Sequence, residues 1–96
     1  MIIRDPARSD IDEAVDWYEE RVPGLGGEFL RSLDGSLAAI SRNPAMYPVV
    51  YRKAQMTVVR RFPYLIIFRE FDDFISVVAV MHGRRNPRRW QELVTE

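Results

Sequence analysis

Two successive strand-like segments of this chain carry apolar side chains on both faces. They are residues 64–71, YLIIFREF, and residues 74–81, FISVVAVM, and neither alternates between apolar and polar positions. A strand that is apolar on both faces must be covered on both faces. The chain therefore needs a covering layer on each side of its sheet, and one of these layers can come from another polypeptide.

The half of the chain that precedes these strands predicts two helices. Apolar residues recur at helical spacing from Ile11 to Val22 and again from Leu25 to Ile40. Pro23-Gly24 separates the two series, and Asn43-Pro44 ends the second. The pattern indicates an α-helical hairpin with one apolar stripe on each helix, and both stripes have to be buried against a sheet.

Short strands and turns complete the expected topology. Ile2–Ile3 predict a brief strand, and either Asp5 or Ser9 could cap the helix that follows. Residues 49–62 are rich in β-branched and aromatic side chains, which favour strands. Asp72–Asp73 predict a tight turn between two antiparallel strands.

These elements predict an α+β fold in a single domain over residues 1–96. An N-terminal short strand and the α-helical hairpin would pack on a mainly antiparallel three- to four-stranded sheet, with a short C-terminal tail. The helices can cover only one face of that sheet. The tail with Trp90 and Leu93, a second copy of the chain, or another protein could cover the other face, and the sequence is compatible with each.

Composition narrows the classes of function. The chain has no cysteine and one histidine, so we expect no disulfide, no thiol nucleophile, no metal and no cofactor. No apolar run reaches the length of a signal peptide core or a membrane span, which predicts a protein of the bacterial cytoplasm that does not contact membranes.

Charge is divided unevenly along the chain although its net value is zero. Residues 1–48 contain nine acidic and five basic residues, while residues 49–96 contain nine basic and five acidic ones. A net charge of zero is a poor match to a general nucleic-acid binder. The basic half can still form a local patch for an acidic or phosphate-bearing partner.

The order and spacing of four segments resemble the RelE/ParE superfamily of toxins, also described as plasmid stabilisation proteins. The segments are DIDEAVDWYEER, LGGEFLRSLDGSLAAISRNPAMYP, RRFPYLIIF and VVAVMHGRRNPRRW, and they span nearly the whole chain. The resemblance implies the toxin of a type II toxin–antitoxin system, neutralised by a cognate antitoxin protein. That antitoxin would bind the second apolar face of the sheet by strand addition or as a helix in a groove. Operator DNA would be reached only through the antitoxin.

The superfamily contains two activities. RelE-like members cut messenger RNA on the ribosome, with sites that combine lysines near the middle with a late tyrosine, or with histidine and glutamate. ParE-like members have a similar fold without that set of residues, and they poison DNA gyrase without catalysing any cleavage themselves. This chain resembles the ParE branch more, because Lys53 is its single lysine and no tyrosine follows Tyr64. We therefore expect a growth inhibitor that binds a target such as gyrase and is not an enzyme. A ribosome-dependent, metal-independent endoribonuclease and an inactive family member that only binds the antitoxin are the alternatives.

The candidate target-binding residues lie in the basic half of the chain. They are Arg60, Arg61, Tyr64, His82, Arg84, Arg85, Arg88, Arg89 and Trp90. In a nuclease, His82 would act as the base and Arg60, Arg61, Arg84 and Arg85 would hold the phosphate, although the sequence assigns no catalytic residue. Antiparallel pairing of the last two strands would bring His82 near Tyr64 and the Arg60-Arg61 corner. Structural alternatives are a packed strand-end histidine, solvated or ion-paired arginines, and a Trp90 that covers the sheet.

Overall fold

The structure is a computed structural model that describes residues 1–94. Its elements are β1 (Ile2–Ile3), α1 (Asp5–Arg21), α2 (Leu25–Arg42), a 3-10 turn (Pro44–Met46), β2 (Val49–Tyr51), β3 (Ala54–Val58), β4 (Tyr64–Glu70), β5 (Ile75–His82) and α3 (Arg88–Gln91). The five strands form one sheet in the order β1-β5-β4-β3-β2, and only the β1–β5 pair is parallel. The predicted α+β architecture is confirmed, with five strands where three to four were expected, because β1 joins the sheet beside β5 and β2 and β3 form a separate hairpin. Across residues 1–94, the helices fall short of the length and apolarity that a membrane span requires.

The α1–α2 hairpin depends on glycines and on one carboxylate. A Cβ atom at Gly26 would lie 2.7 Å from the carbonyl oxygen of Val15, so the helices can approach this closely only with glycine there. Glu19 accepts hydrogen bonds from the backbone N–H groups of Gly24 (2.8 Å) and Gly26 (3.0 Å). The Glu19 carboxylate therefore occupies the free N–H groups at the start of α2, where a negative charge is favourable.

The predicted N-cap of α1 is wrong. The cap residue is Arg4, whose side chain makes no capping hydrogen bond, and Asp5 is already the first helical residue. Pro6 lies in the first turn and has no N–H group to satisfy, which reduces the need for a capping side chain. Ser9 lies inside the helix.

The first face of the sheet packs against both helices. Its core contains Ile66 and Phe68 from β4 and Val77 and Val80 from β5, all at most 1% exposed. The helices contribute Ala7, Ala14, Phe29, Leu33 and Ile40 to the same cluster. Residues from the predicted apolar stripes therefore meet the sheet as expected.

A register shift explains why the last strand does not alternate. Ile67 pairs with Ala79 and Phe68 pairs with Val77, so Val78 has no partner of its own in the ladder. This β-bulge places Val78 and Ala79 on the second face while Val77 and Val80 remain on the first. Both faces of β5 consequently need apolar residues.

The chain's own tail covers the centre of the second face. Trp90 and Val94 are only 6% and 8% exposed, and they pack in one cluster with Ile67 and Ala79. Leu93, which the sequence suggested as part of this cover, is 40% exposed. Since α3 and Val94 occupy the centre of this surface, an antitoxin segment could bind at the centre only by displacing them, and where the antitoxin docks stays a prediction.

Candidate functional site

The site lies where α1 passes the free edge of β5. Strand β1 pairs only with Ser76 and Val77, which leaves the rest of that edge without a neighbouring strand. At this point the Asp10 carboxylate accepts a hydrogen bond of 3.0 Å from the backbone N–H of Val80. A side chain of α1 thus satisfies a backbone donor at the edge of the sheet and sets the distance between helix and strand.

Burial raises the pKa of Asp10 above its ordinary value of 3.8. The hydrogen bond from Val80 and the charges of Arg89 and Arg85 lower this pKa, and the nearby Glu13 raises it further. Loss of hydration is the largest of these contributions. The folded protein therefore binds a proton at Asp10 more tightly than the unfolded chain does.

The raised pKa of Asp10 predicts that the free energy of unfolding depends measurably on pH. Its contribution to the free energy of unfolding is complete below pH 3.8 and declines as pH rises through the raised pKa. We expect Asp10→Asn to remove this decline, because the amide oxygen can still accept the Val80 hydrogen bond but carries no charge. Urea unfolding at about pH 3 and about pH 6 measures the difference. The exposed Asp12→Asn variant is the control, and equal declines in the wild type and Asp10→Asn would contradict the assignment.

An aromatic cluster joins α1 to the ends of β4 and β5. His82 pairs with Tyr64 in the strand register, and their rings make an edge contact at 5.4 Å between centroids. Tyr18 of α1 lies 6.0 Å from Tyr64 and 5.0 Å from Phe62. Burial raises the pKa of both tyrosines, so their hydroxyl groups remain protonated at neutral pH.

These rings form one wall of an open cleft of about 590 Å³, which we call the aromatic cleft. It is lined by Trp17, Tyr18, Pro63, Tyr64, His82, Arg84 and Arg85. Trp17 is 48% exposed, and the Arg21 guanidinium lies 3.5 Å from the centre of its ring. An exposed tryptophan therefore stands opposite two arginines that follow the last strand.

The geometry of His82 limits its possible chemistry. Its Nδ1 atom accepts a hydrogen bond of 3.1 Å from the backbone N–H of Arg84. In this arrangement the imidazole orients the start of the basic loop that holds Arg84 and Arg85, and its Nδ1 atom is already engaged by the backbone.

The structure brings together only part of the residue set suggested by the sequence. Arg84 and Arg85 lie with His82 and Tyr64, as predicted. Arg60 and Arg61 instead line a separate depression beside α2. Their turn explains the separation, because Arg61 adopts a left-handed backbone (φ 71°) in a bend closed by the hydrogen bond from Phe62 N–H to Val59. The predicted single cluster of four arginines is therefore wrong.

The remaining members of the set lie on the C-terminal helix. Arg88 and Arg89 are exposed, and the charge of Arg89 acts on Asp10. Trp90 is buried and makes an edge contact with Tyr51 at 5.8 Å, so its ring is a structural element and not a surface anchor. The exposed tryptophan of the site is Trp17, whose position inside the helical repeat gave no signal that distinguished it from a packing residue.

The side chains that line the aromatic cleft are of the kinds that bind a partner. Aromatic rings and guanidinium groups provide stacking, cation–π and charge-assisted hydrogen bonding to a partner. Two carboxylates, those of Asp10 and Glu13, lie in a smaller adjoining depression of about 90 Å³. Within residues 1–94, no group of three or more His, Cys, Asp or Glu side chains is arranged to hold a metal ion.

Comparison with known proteins identifies related chains. The family model described as ParE toxin of type II toxin-antitoxin system, parDE, matches residues 1–87. Toxin ParE2 of Mycobacterium tuberculosis is 23% identical over 86 residues, which cover 88% of this chain and 82% of that toxin. The same values hold for Toxin ParE2 from a second strain of that species.

A solved structure shares the fold. A chain of the chromosomal ParDE TA system from P. aeruginosa superposes with a TM-score of 0.74 at 15% sequence identity. The match covers 85% of this chain and 95% of that chain. The architecture described above is therefore found in another protein with little sequence in common.

Proposed function

Since this chain belongs to the ParE toxin family of type II toxin–antitoxin systems, we propose that it arrests bacterial growth by binding an essential target. DNA gyrase is the target we propose first. We also propose that a cognate antitoxin neutralises the protein by binding it directly. The chain belongs to the general class of ParE-like toxins. Its target and the way in which an antitoxin neutralises it are the two proposals that the experiments below test.

The aromatic cleft is the observation that carries this proposal. Trp17 is exposed next to a partly buried aromatic cluster, and tryptophan and arginine are among the residues most enriched at the energetic centres of protein interfaces. Arg84 and Arg85 extend from the loop that follows β5, on the same side of the sheet. A protein surface with apolar and acidic groups would complement this combination.

Binding fits the geometry better than RNA cleavage does. A metal-free nuclease needs a base for the 2′-hydroxyl and cations around the scissile phosphate. His82 Nδ1 is already engaged by the backbone of Arg84, and Arg60 and Arg61 lie in another depression. Only two of the four arginines considered for phosphate binding therefore lie beside the histidine.

Two assays separate the proposed target from the alternatives. Purified protein should inhibit DNA supercoiling by purified gyrase, and the inhibition should rise with protein concentration. The same protein added to a translating extract should leave messenger RNA intact. Cleaved messenger together with unaffected supercoiling would reject gyrase binding in favour of a ribosome-dependent endoribonuclease.

Expression of the chain with and without the adjacent reading frame tests neutralisation, because the antitoxin should restore growth and co-purify.

Substitution of His82 gives a further discrimination. We expect His82→Ala to weaken growth inhibition by less than about tenfold, because the histidine only orients one edge of a contact surface. Removal of a general base would cost about a hundredfold to ten-thousandfold. Growth inhibition titrated with an inducible promoter measures the effect, and a thermal unfolding curve controls for loss of structure. A loss of activity in the larger range, with the fold intact, would rule out the contact role.

A further inference from the structure

Four arginines converge on a second surface, which is distinct from the aromatic cleft. Arg31 and Arg42 of α2 form one side, and Arg60 and Arg61 of the β3–β4 corner form the other. The depression between them has a volume of about 790 Å³, and all four residues are exposed. We call this surface the arginine groove.

The charges of the arginine groove are not balanced by the chain itself. Within residues 1–94, the side chains of these four arginines make no hydrogen bond or ion pair with one another or with the rest of the protein. Glu28 is the one acidic residue among those that line the groove. Like charges gathered on one surface repel each other, and an acidic partner would relieve this repulsion.

The floor of the groove permits close approach of another chain. Small residues of α2 line it, namely Ser32, Gly35, Ser36 and Ala39. A Cβ atom built at Gly35 would meet no atom within 4 Å, so open space lies above the helix at this position. Leu25 and Phe62 add apolar surface to the lining. Small residues between polar walls allow two helices to pack with a short distance between their axes.

We propose that the arginine groove binds an acidic α-helical segment of the antitoxin, an inference that rests on the proposed function. Arg31 and Arg42 are eleven residues apart, which is about three turns of helix, so they lie on one side of α2 about 16 Å apart. Acidic residues at i, i+4, i+7 and i+11 of a partner helix would follow this spacing. An acidic helix matches both the positive charge of the four arginines and the small side chains that line the floor of the groove.

A polypeptide is favoured over nucleic acid as the occupant. The apolar Leu25 and Phe62 form part of the lining, and they offer no favourable contact to a phosphate backbone. An amphipathic helix can satisfy both the arginines and these apolar residues. Phe62 also packs against Tyr18, which lines the aromatic cleft, so a helix in the groove would lie next to the proposed target-binding surface.

A synthetic peptide tests the groove independently of toxicity. The probe is a capped peptide of about 20 residues with glutamate at i, i+4, i+7 and i+11 on an alanine background, and its control has glutamine at the same positions. Fluorescence anisotropy with the full chain measures affinity. We expect Arg31→Ala and Arg61→Gly each to weaken binding of the glutamate peptide by about tenfold.

Matched variants control for charge and backbone strain. Arg52 and Arg61 both adopt a left-handed backbone, with φ 53° and 71°, so glycine relaxes both positions and removes one charge from each. Arg52 does not line the groove. Arg52→Gly and the exposed helical variant Arg8→Ala should therefore change peptide affinity by less than about twofold, and circular dichroism should show all four variants folded.

Three results would overturn the proposal. The first is that the wild type binds the glutamate peptide no more tightly than the glutamine peptide. The second is that the groove variants and the control variants lose the same amount of peptide affinity. The third is that a DNA duplex binds more tightly than the glutamate peptide and that the groove variants abolish this DNA binding. Growth inhibition by the same proteins reports separately on the proposed function. A chain that binds the peptide through the groove but leaves bacteria unharmed would retain this inference and refute the proposed toxicity.

Discussion

Replacement of Trp90 by alanine is expected to lower the free energy of unfolding by about 3–5 kcal/mol. Trp90 is 6% exposed and lies over the second face of the sheet, where it packs with Ile67 and Ala79 and contacts Tyr51. Its removal would leave a cavity above the strands and expose a β5 that is apolar on both faces. Since small domains have a total stability of about 5–15 kcal/mol, this single change could unfold the protein.

Urea unfolding followed by circular dichroism measures the loss. Leu93→Ala is the matched control, because Leu93 belongs to the same tail but is 40% exposed, and its truncation should cost less than about 1 kcal/mol. If the Trp90 variant is too unstable to purify, Trp90→Phe should retain part of the packing and lose an intermediate amount. Similar stabilities for Trp90→Ala and Leu93→Ala would show that the tail does not seal the sheet in solution.

The role of the tail changes where a partner can bind. A companion protein was one possible cover for the second face, and α3 with Val94 covers the centre of that face within the chain itself. The aromatic cleft and the arginine groove are two surfaces that the tail leaves open, and they lie on either side of the Phe62–Pro63 corner. The two surfaces are separate, so contacts at each of them can be tested one at a time.

Local patterns were sufficient for both long helices and for the turn between the last two strands. Helical periodicity gave both helices, and Pro23-Gly24 separated them correctly. Asp72-Asp73 gave the β4–β5 turn, which closes with a hydrogen bond from Phe71 N–H to Phe74 and with stacked rings at 4.7 Å. These features depend on residues close together in sequence, so the sequence carries their signal directly.

Features that depend on distant contacts were not predictable from the sequence. Trp90 could equally cover the sheet or face a partner, because both uses require an aromatic residue after a basic segment. The separation of Arg60 and Arg61 from Arg84 and Arg85 follows from the left-handed bend at Arg61, a position that ordinarily favours glycine.

Reversal of the charges at Arg84 and Arg85 should abolish growth inhibition while the fold remains intact. Both side chains are exposed at the aromatic cleft, so Arg84→Glu with Arg85→Glu should change the free energy of unfolding by less than about 1 kcal/mol. The backbone N–H of residue 84 can still donate to His82, which preserves the loop. Two repulsive charges at the centre of a contact surface should weaken target binding by at least about a hundredfold.

A charge-matched double variant makes this result specific to the cleft. Arg52→Glu with Lys53→Glu reverses two exposed charges in the β2–β3 turn and produces the same net charge. It should inhibit growth and gyrase as the wild type does. Equal loss of activity in both double variants would mean that overall charge, and not the aromatic cleft, governs the encounter with the target. If only the Arg84 and Arg85 variant loses activity and it still binds the acidic peptide, then the target and the antitoxin helix use different surfaces, as the separation of the two arginine pairs predicts.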